Sequence, residues 1–259
     1  MPADRHFRAA VGAAVVVLKL LAKARIVLIL VVLQPAVYAS IALLLLRRGG
    51  HADTFGAALG AGLMGVWTSM LFFAGGSLER ERRQGTLELL VACPTPLLPI
   101  AVGIGMATVL IGLYALVTSI AVAVLLFDVP LSIAEPGLFV LAMLMTVISL
   151  GLLGSLLCTL FVLHRQAGLF QNMLEYPVWI LSGLLVPTTA LPSPLRPLGW
   201  PLAPTWAMEA LRRAASGSGS MLVPLLMCAL LGLCYLAAGQ GCLWWLERLA
   251  RSRATLPLS

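Results

Sequence analysis

Long unbroken apolar runs, rather than strict alternation or a narrow amphipathic stripe, dominate the polarity pattern of this chain. A helix rising 1.5 Å per residue needs about 20 apolar residues to cross ~30 Å of hydrocarbon, and six runs reach that length. Ile26–Leu46 has Gln34 as its one strongly polar side chain, while Phe55–Ser77, Ile100–Phe127 and Gly137–Leu163 carry no charge. Ala167–Val186 holds a single carboxylate, Glu175, and Met221–Leu246 holds none. The pattern predicts an all-α polytopic membrane protein with spans at 26–46, 55–77, 100–127, 137–163, 167–186 and 221–246, and even parity places both termini on one side.

Two flanking segments follow different rules. In Asp4–Ala24 the basic Arg5, Arg8, Lys19 and Lys23 recur beside Val11, Val15, Leu18 and Ala22, the pattern of a helix lying in the membrane interface. A signal peptide is the competing reading, since a basic start, a short apolar run and Ala22-Lys23-Ala24 imitate its three regions, but Lys19 interrupts that run. The stretch 187–220 contains Pro187, Pro192, Pro194, Pro197, Pro201 and Pro204 with Trp200 and Trp206. Prolines at this density forbid one long helix. Short broken helices on the outer side are expected, with tryptophans at the depth where aromatic rings favour the interface.

Composition agrees: of 259 residues 61% are hydrophobic and 10% charged, too few charges to solvate a soluble domain of this size. The net charge of +7 does not indicate nucleic acid, because the basic residues flank apolar runs instead of forming a stripe with aromatics. It bears on orientation. With the N terminus inside, the cytoplasmic segments hold Arg5, Arg8, Lys19, Lys23, Arg25, Arg80, Arg82, Arg83, Arg165, Arg248, Arg251 and Arg253, twelve in all. The outer segments hold five: Arg47, Arg48, Arg196, Arg212 and Arg213. Positive charge is retained on the cytoplasmic side, so both termini are expected there.

Candidate chemistry is sparse. Cys158, Cys228, Cys234 and Cys242 fall within spans and Cys93 in a cytoplasmic loop, so no disulfide framework is implied. His6, His51 and His164 lie in three separate segments, without metal-ligand spacing. Lys19 and Lys23 are the only lysines and neither follows a glycine, which excludes a P-loop in this chain. No catalytic constellation is evident within the spans. In Phe55–Ser77, Gly56-x-x-x-Gly60 followed by Ala61 and Gly65 allows another helix to approach closely, either inside one subunit or across a dimer.

The most informative stretch joins the second and third spans: Glu79-Arg80-Glu81-Arg82-Arg83-Gln84-Gly85-Thr86-Leu87-Glu88-Leu89-Leu90, closed by Pro94-Thr95-Pro96. Gly85 can stop the preceding helix, Glu88 then falls in the first turn of a short new helix, and Leu87, Leu90 and Val91 give that helix an apolar edge. A solvated loop with a charge run is the plain alternative. Glu175, four residues after Gln171, must face protein or water, since mid-bilayer burial of a carboxylate costs ~2.5–3.5 kcal/mol. It either lines a pathway, contacting cationic cargo, or makes a structural contact within the bundle or across a dimer.

The run Glu79–Leu90 with its Pro-Thr-Pro closure resembles the membrane permeases of type-2 ATP-binding-cassette exporters. So does Ser182-Gly183-Leu184-Leu185-Val186-Pro187, followed by Leu191-Pro192, Pro204-Thr205-Trp206 and Glu209-Ala210-Leu211-Arg212. The resemblance implies a dimeric pathway, built with a second permease copy or a paralogue, above two separate ATPase subunits that hold the ATP and magnesium; this chain binds no cofactor itself. It implies that 79–96 is the coupling segment, with Glu79, Arg82, Gly85, Thr86, Leu87, Glu88 and Leu90 transmitting ATPase motion. The membrane would be a bacterial plasma membrane and the substrate amphiphilic or hydrophobic: a drug, antibiotic, lipid, lipid-linked glycan or peptide. A secondary transporter or small channel is the rival class, for which inverted repeats or paired intramembrane charges would be expected.

Overall fold

Small side chains set the packing at the centre of the molecule. The computed structural model describes residues 2–23, 25–49, 53–85, 97–131, 133–163 and 167–253, and among these the regular structure is helical. Helix α3 (Thr54–Ser69) is almost wholly buried, because its glycines and alanines let neighbours close in on every side. A Cβ added to Gly60 would lie 2.3 Å from the Leu184 carbonyl oxygen, so this glycine serves packing within the subunit.

Around α3 stand α2 (Arg25–Gly49) and α5 (Leu97–Phe127), with α6 (Pro136–Leu163) packed along α5. Helix α1 (Pro2–Lys23) is a single helix laid against α5. Its outer face shows Phe7, Val11, Val15, Val16 and Leu20, with Lys19 and Lys23 also exposed. The last helix, α9 (Leu222–Arg253), packs on α6. Leu43, Leu59, Leu63, Met70, Leu71, Leu116 and Phe161 are fully enclosed and tie these helices into one core.

Four helical stretches among the described residues are long and apolar enough to cross a membrane: Thr54–Arg83, Leu97–Phe127, Pro136–Val162 and Leu222–Trp245. They coincide with the second, third, fourth and sixth predicted spans. The first lies in α2, where Val32–Leu44 forms a shorter apolar stretch. The fifth departs from expectation: α7 (Ala167–Leu181) is 15 residues long and stops before Val186. Gly183 takes φ +79° there, and the amides of Leu184 and Leu185 turn back to the Trp179 carbonyl. Such a helix is ~22 Å long, less than the hydrocarbon thickness.

The proline-rich stretch forms two 3₁₀ turns, Thr188–Ala190 and Arg196–Gly199, and then a 14-residue helix, α8 (Ala203–Ser216). Pro204 is tolerated because it sits in the first turn, where no intrahelical amide bond is lost. Tyr235 of α9 fixes that start by donating to the Pro201 carbonyl at 2.5 Å and accepting from the Ala203 amide at 3.0 Å. The apolar face of α8, including Met208, Leu211 and Ala215, then packs on α6, α9 and α3.

Candidate functional site

The predicted coupling segment begins as a direct continuation of α3. At Met70–Ala74 the helix widens into a π turn, the Gly75 amide reaching back to the Met70 carbonyl at 3.3 Å. A π turn inserts one residue and displaces backbone carbonyls from the regular ladder. The Leu71 carbonyl accepts instead from Gln171 Nε2 of α7 at 3.2 Å. After Gly75-Gly76 the chain resumes as α4 (Ser77–Arg83), so one nearly continuous rod leads from the buried core to the charged run.

Within α4 the charges are divided between anchoring and display. Glu79 is buried and paired with Arg83, whose Nε lies 3.1 Å from its Oε1. Arg82 donates to the Val162 carbonyl at 2.8 Å, which is a bond from α4 to the last turn of α6. Arg80 is exposed. Gly85 ends the helix with φ +73°, its amide bonded to the Arg82 carbonyl. A Cβ there would meet nothing within 4 Å, so the demand for glycine comes from backbone conformation alone. Thr86, Leu87, Glu88 and Leu90, with Cys93, lie outside the described residues.

Glu175 belongs to a second cluster. On α7 the side chains of Gln171, Glu175, Val178 and Trp179 turn inward, while Leu169, Met173, Tyr176 and Ile180 are exposed. Glu175 Oε1 accepts a hydrogen bond from Thr68 Oγ1 of α3 at 2.8 Å. Its neighbour Trp179 packs edge-on against Tyr38 and Tyr176, with ring centroids 5.2 and 5.1 Å away. Gln171 and Glu175, one turn apart, therefore both reach the α3–π-turn rod. Glu79 and Arg82 both lie on α4 but make separate contacts, with Arg83 and with the Val162 carbonyl, and Glu175 meets the same rod elsewhere, at Thr68 of α3. Thr68 and Gln171 carried no signal of these contacts in the sequence, and the expected span 55–77 ran through Gly75-Gly76 without a break.

The family of ABC-2 type transporters matches residues 16–215, from the second half of α1 to the end of α8. The chain belongs to the ABC-2 type transporter family. Within that family the matched domain is the membrane permease component of an ABC transporter, a type of protein that works with an ATPase partner. No curated protein and no solved structure matches the chain. In the ABC-2 permease described here, the match spans the α3–α4 rod, the Glu175 seam and the segment 79–96.

Proposed function

We propose that this chain is the permease subunit of an ATP-driven exporter, forming the substrate pathway as a dimer and coupled to separate ATPase subunits through residues 79–96. In this reading it crosses the membrane six times with both termini cytoplasmic, α7 and the turn after it completing the fifth crossing, and α1 lies in the cytoplasmic interface. The cargo is amphiphilic or hydrophobic. ATP and magnesium are held by the partner, and the complex resides in a bacterial plasma membrane.

The single observation that carries this reading is the α3–α4 rod. A helix that is buried in the core at Met70 emerges as a charged helix at Glu79–Arg83 and is fastened to a second long helix by the Arg82–Val162 bond. A push delivered beyond Gly85 would therefore act on α3 and α6 together. Glu79 and Arg82 hold the rod, Gly85 sets the turn, and Thr86, Leu87, Glu88 and Leu90 form the contact with the ATPase, the leucines filling an apolar cleft. Exposed charged pairs at its rim contribute about 1 kcal/mol or less each.

The test is Leu87→Asp in the purified permease with its ATPase. An aspartate in an apolar contact buries an unpaired charge, at a cost of several kcal/mol, so the variant is expected to insert normally but to lose ATPase binding and substrate-stimulated hydrolysis. Wild-type binding and transport by Leu87→Asp would reduce the segment to an ordinary loop and remove the coupling role.

A further inference from the structure

A pocket of about 590 Å³ opens at the end of the bundle where the chain enters α3 and leaves α8. Its charged lining comes from Asp53, the N-cap of α3, and from Glu209, Arg212 and Arg213 on the last turns of α8; Phe55 lies in the wall and Ser216 at the edge. The volume is in the range of small-ligand sites.

The two arginines are in different states. Arg213 is hydrogen-bonded to the protein: its Nε donates to Glu209 Oε1 at 2.8 Å and its NH1 to the Ser220 carbonyl at 2.6 Å. Arg212 is not. Its Nε, closed to solvent and without a hydrogen bond, faces Asp53 Oδ2 at 3.3 Å in an ion-pair contact, while 28% of the side chain stays exposed, so a ligand would meet the outer part of the guanidinium rather than Nε. A guanidinium offers five donors in a fork that matches phosphate or carboxylate. Asp53 is similarly half-engaged: Oδ1 accepts from the Gly56 amide at 2.9 Å, while more than half of the side chain remains exposed.

We propose that this pocket binds a phosphoethanolamine head group, with the phosphate on Arg212 and the ammonium against Asp53. Charge selects this class. The two acids and two arginines of the described lining cancel, so a simple anion at Arg212 would be repelled by Asp53, and a simple cation at Asp53 would face two guanidiniums. A ligand carrying both charges a few ångströms apart answers both. A primary ammonium fits better than a quaternary one, because Asp53 requires N–H donors, whereas quaternary ammonium is held by cages of several aromatic faces and Phe55 is the only aromatic in the described lining. The site lies at the start of Thr54–Arg83, a helical stretch long and apolar enough to cross a membrane, and the end of such a span meets the head-group region.

Binding of phosphatidylethanolamine, phosphatidylglycerol and phosphatidylcholine to the full-length chain in detergent, read by native mass spectrometry, tests the proposal. Phosphatidylethanolamine should bind at least about tenfold tighter than the other two, and Arg212→Gln should lower its affinity about tenfold, the ~1.4 kcal/mol of one lost charge-assisted hydrogen bond. Asp53→Asn keeps an N-cap acceptor and so retains the fold. It should abolish the preference over phosphatidylglycerol, which has no ammonium. Displacement by water-soluble glycerophosphoethanolamine at matching concentration would assign the site to a soluble ester, and persistence of the bound lipid would assign it to the bilayer. Equal binding of phosphatidylglycerol to the wild-type chain, or unchanged phosphatidylethanolamine binding by both variants, would overturn the proposal.

Discussion

At the scale of single residues, the Thr68–Glu175 contact shows how a carboxylate is accommodated in an apolar bundle. Its oxygen meets a hydroxyl from α3 inside the protein, away from the hydrocarbon that would penalise it. Removing only the donor leaves the acceptor buried and unmatched, which costs more than removing both partners. Thr68→Val is therefore expected to destabilise the protein by about 1–3 kcal/mol, while Thr68→Val with Glu175→Leu should recover most of that loss. Thermal unfolding in detergent checks both, and additive losses would show that the bond contributes nothing. Glu175→Gln separates charge from shape, since the amide oxygen still accepts from Thr68. Unchanged transport of cationic substrates by this variant would leave Glu175 a packing role alone.

Among the elements, the π turn and α4 depend on contacts distant in sequence. Gln171→Leu would leave the Leu71 carbonyl without its partner from α7, so amides around residues 70–76 are expected to exchange hydrogen faster than in the wild type while α5 exchanges as before. Unaltered exchange there would mean that the π turn holds itself. Gly85→Val acts differently: with open space around the position, the penalty is the ~1–2 kcal/mol of forcing a side chain into left-handed backbone. The variant should keep its fold and lose ATPase stimulation, and Gly85→Asn, which tolerates that conformation better, should lose less. The long uncharged helices α5 and α6 were legible within three residues, because nothing in 100–127 or 137–163 competes with burial. The stop at Gly85 was legible too, glycine being suited to its positive φ. The π turn was not, because an apolar run such as Met70-Leu71-Phe72-Phe73-Ala74 has no polar residue to show a change of period. The early end of α7 was also hidden, as Ser182–Val186 is as apolar as the helix before it, and the turn depends on Gly183 and on bonds back to Trp179.

For the molecule as a whole, orientation decides which end meets an ATPase and which end holds the Asp53–Arg212 pocket. The twelve-to-five division of Lys and Arg between the two sides favours a cytoplasmic 79–96 and an outer 187–220, because positive flanks resist translocation. The folded chain offers a direct check. Ser193 is exposed between the two 3₁₀ turns, so a cysteine placed there is accessible from whichever side that segment faces, without disturbing a buried contact. In intact cells, Ser193→Cys is expected to react with a membrane-impermeant maleimide above the wild-type background. Peptide mapping should show native Cys93 protected until the membrane is opened. The helix cysteines do not confuse this reading, since Cys158 and Cys228 are buried and all four, with Cys234 and Cys242, map to α6 and α9 peptides rather than to either loop. Labelling of Cys93 from outside, with Ser193→Cys protected, would invert the molecule: the charged end of α4 would then face away from ATP, and no cytoplasmic ATPase could act through it.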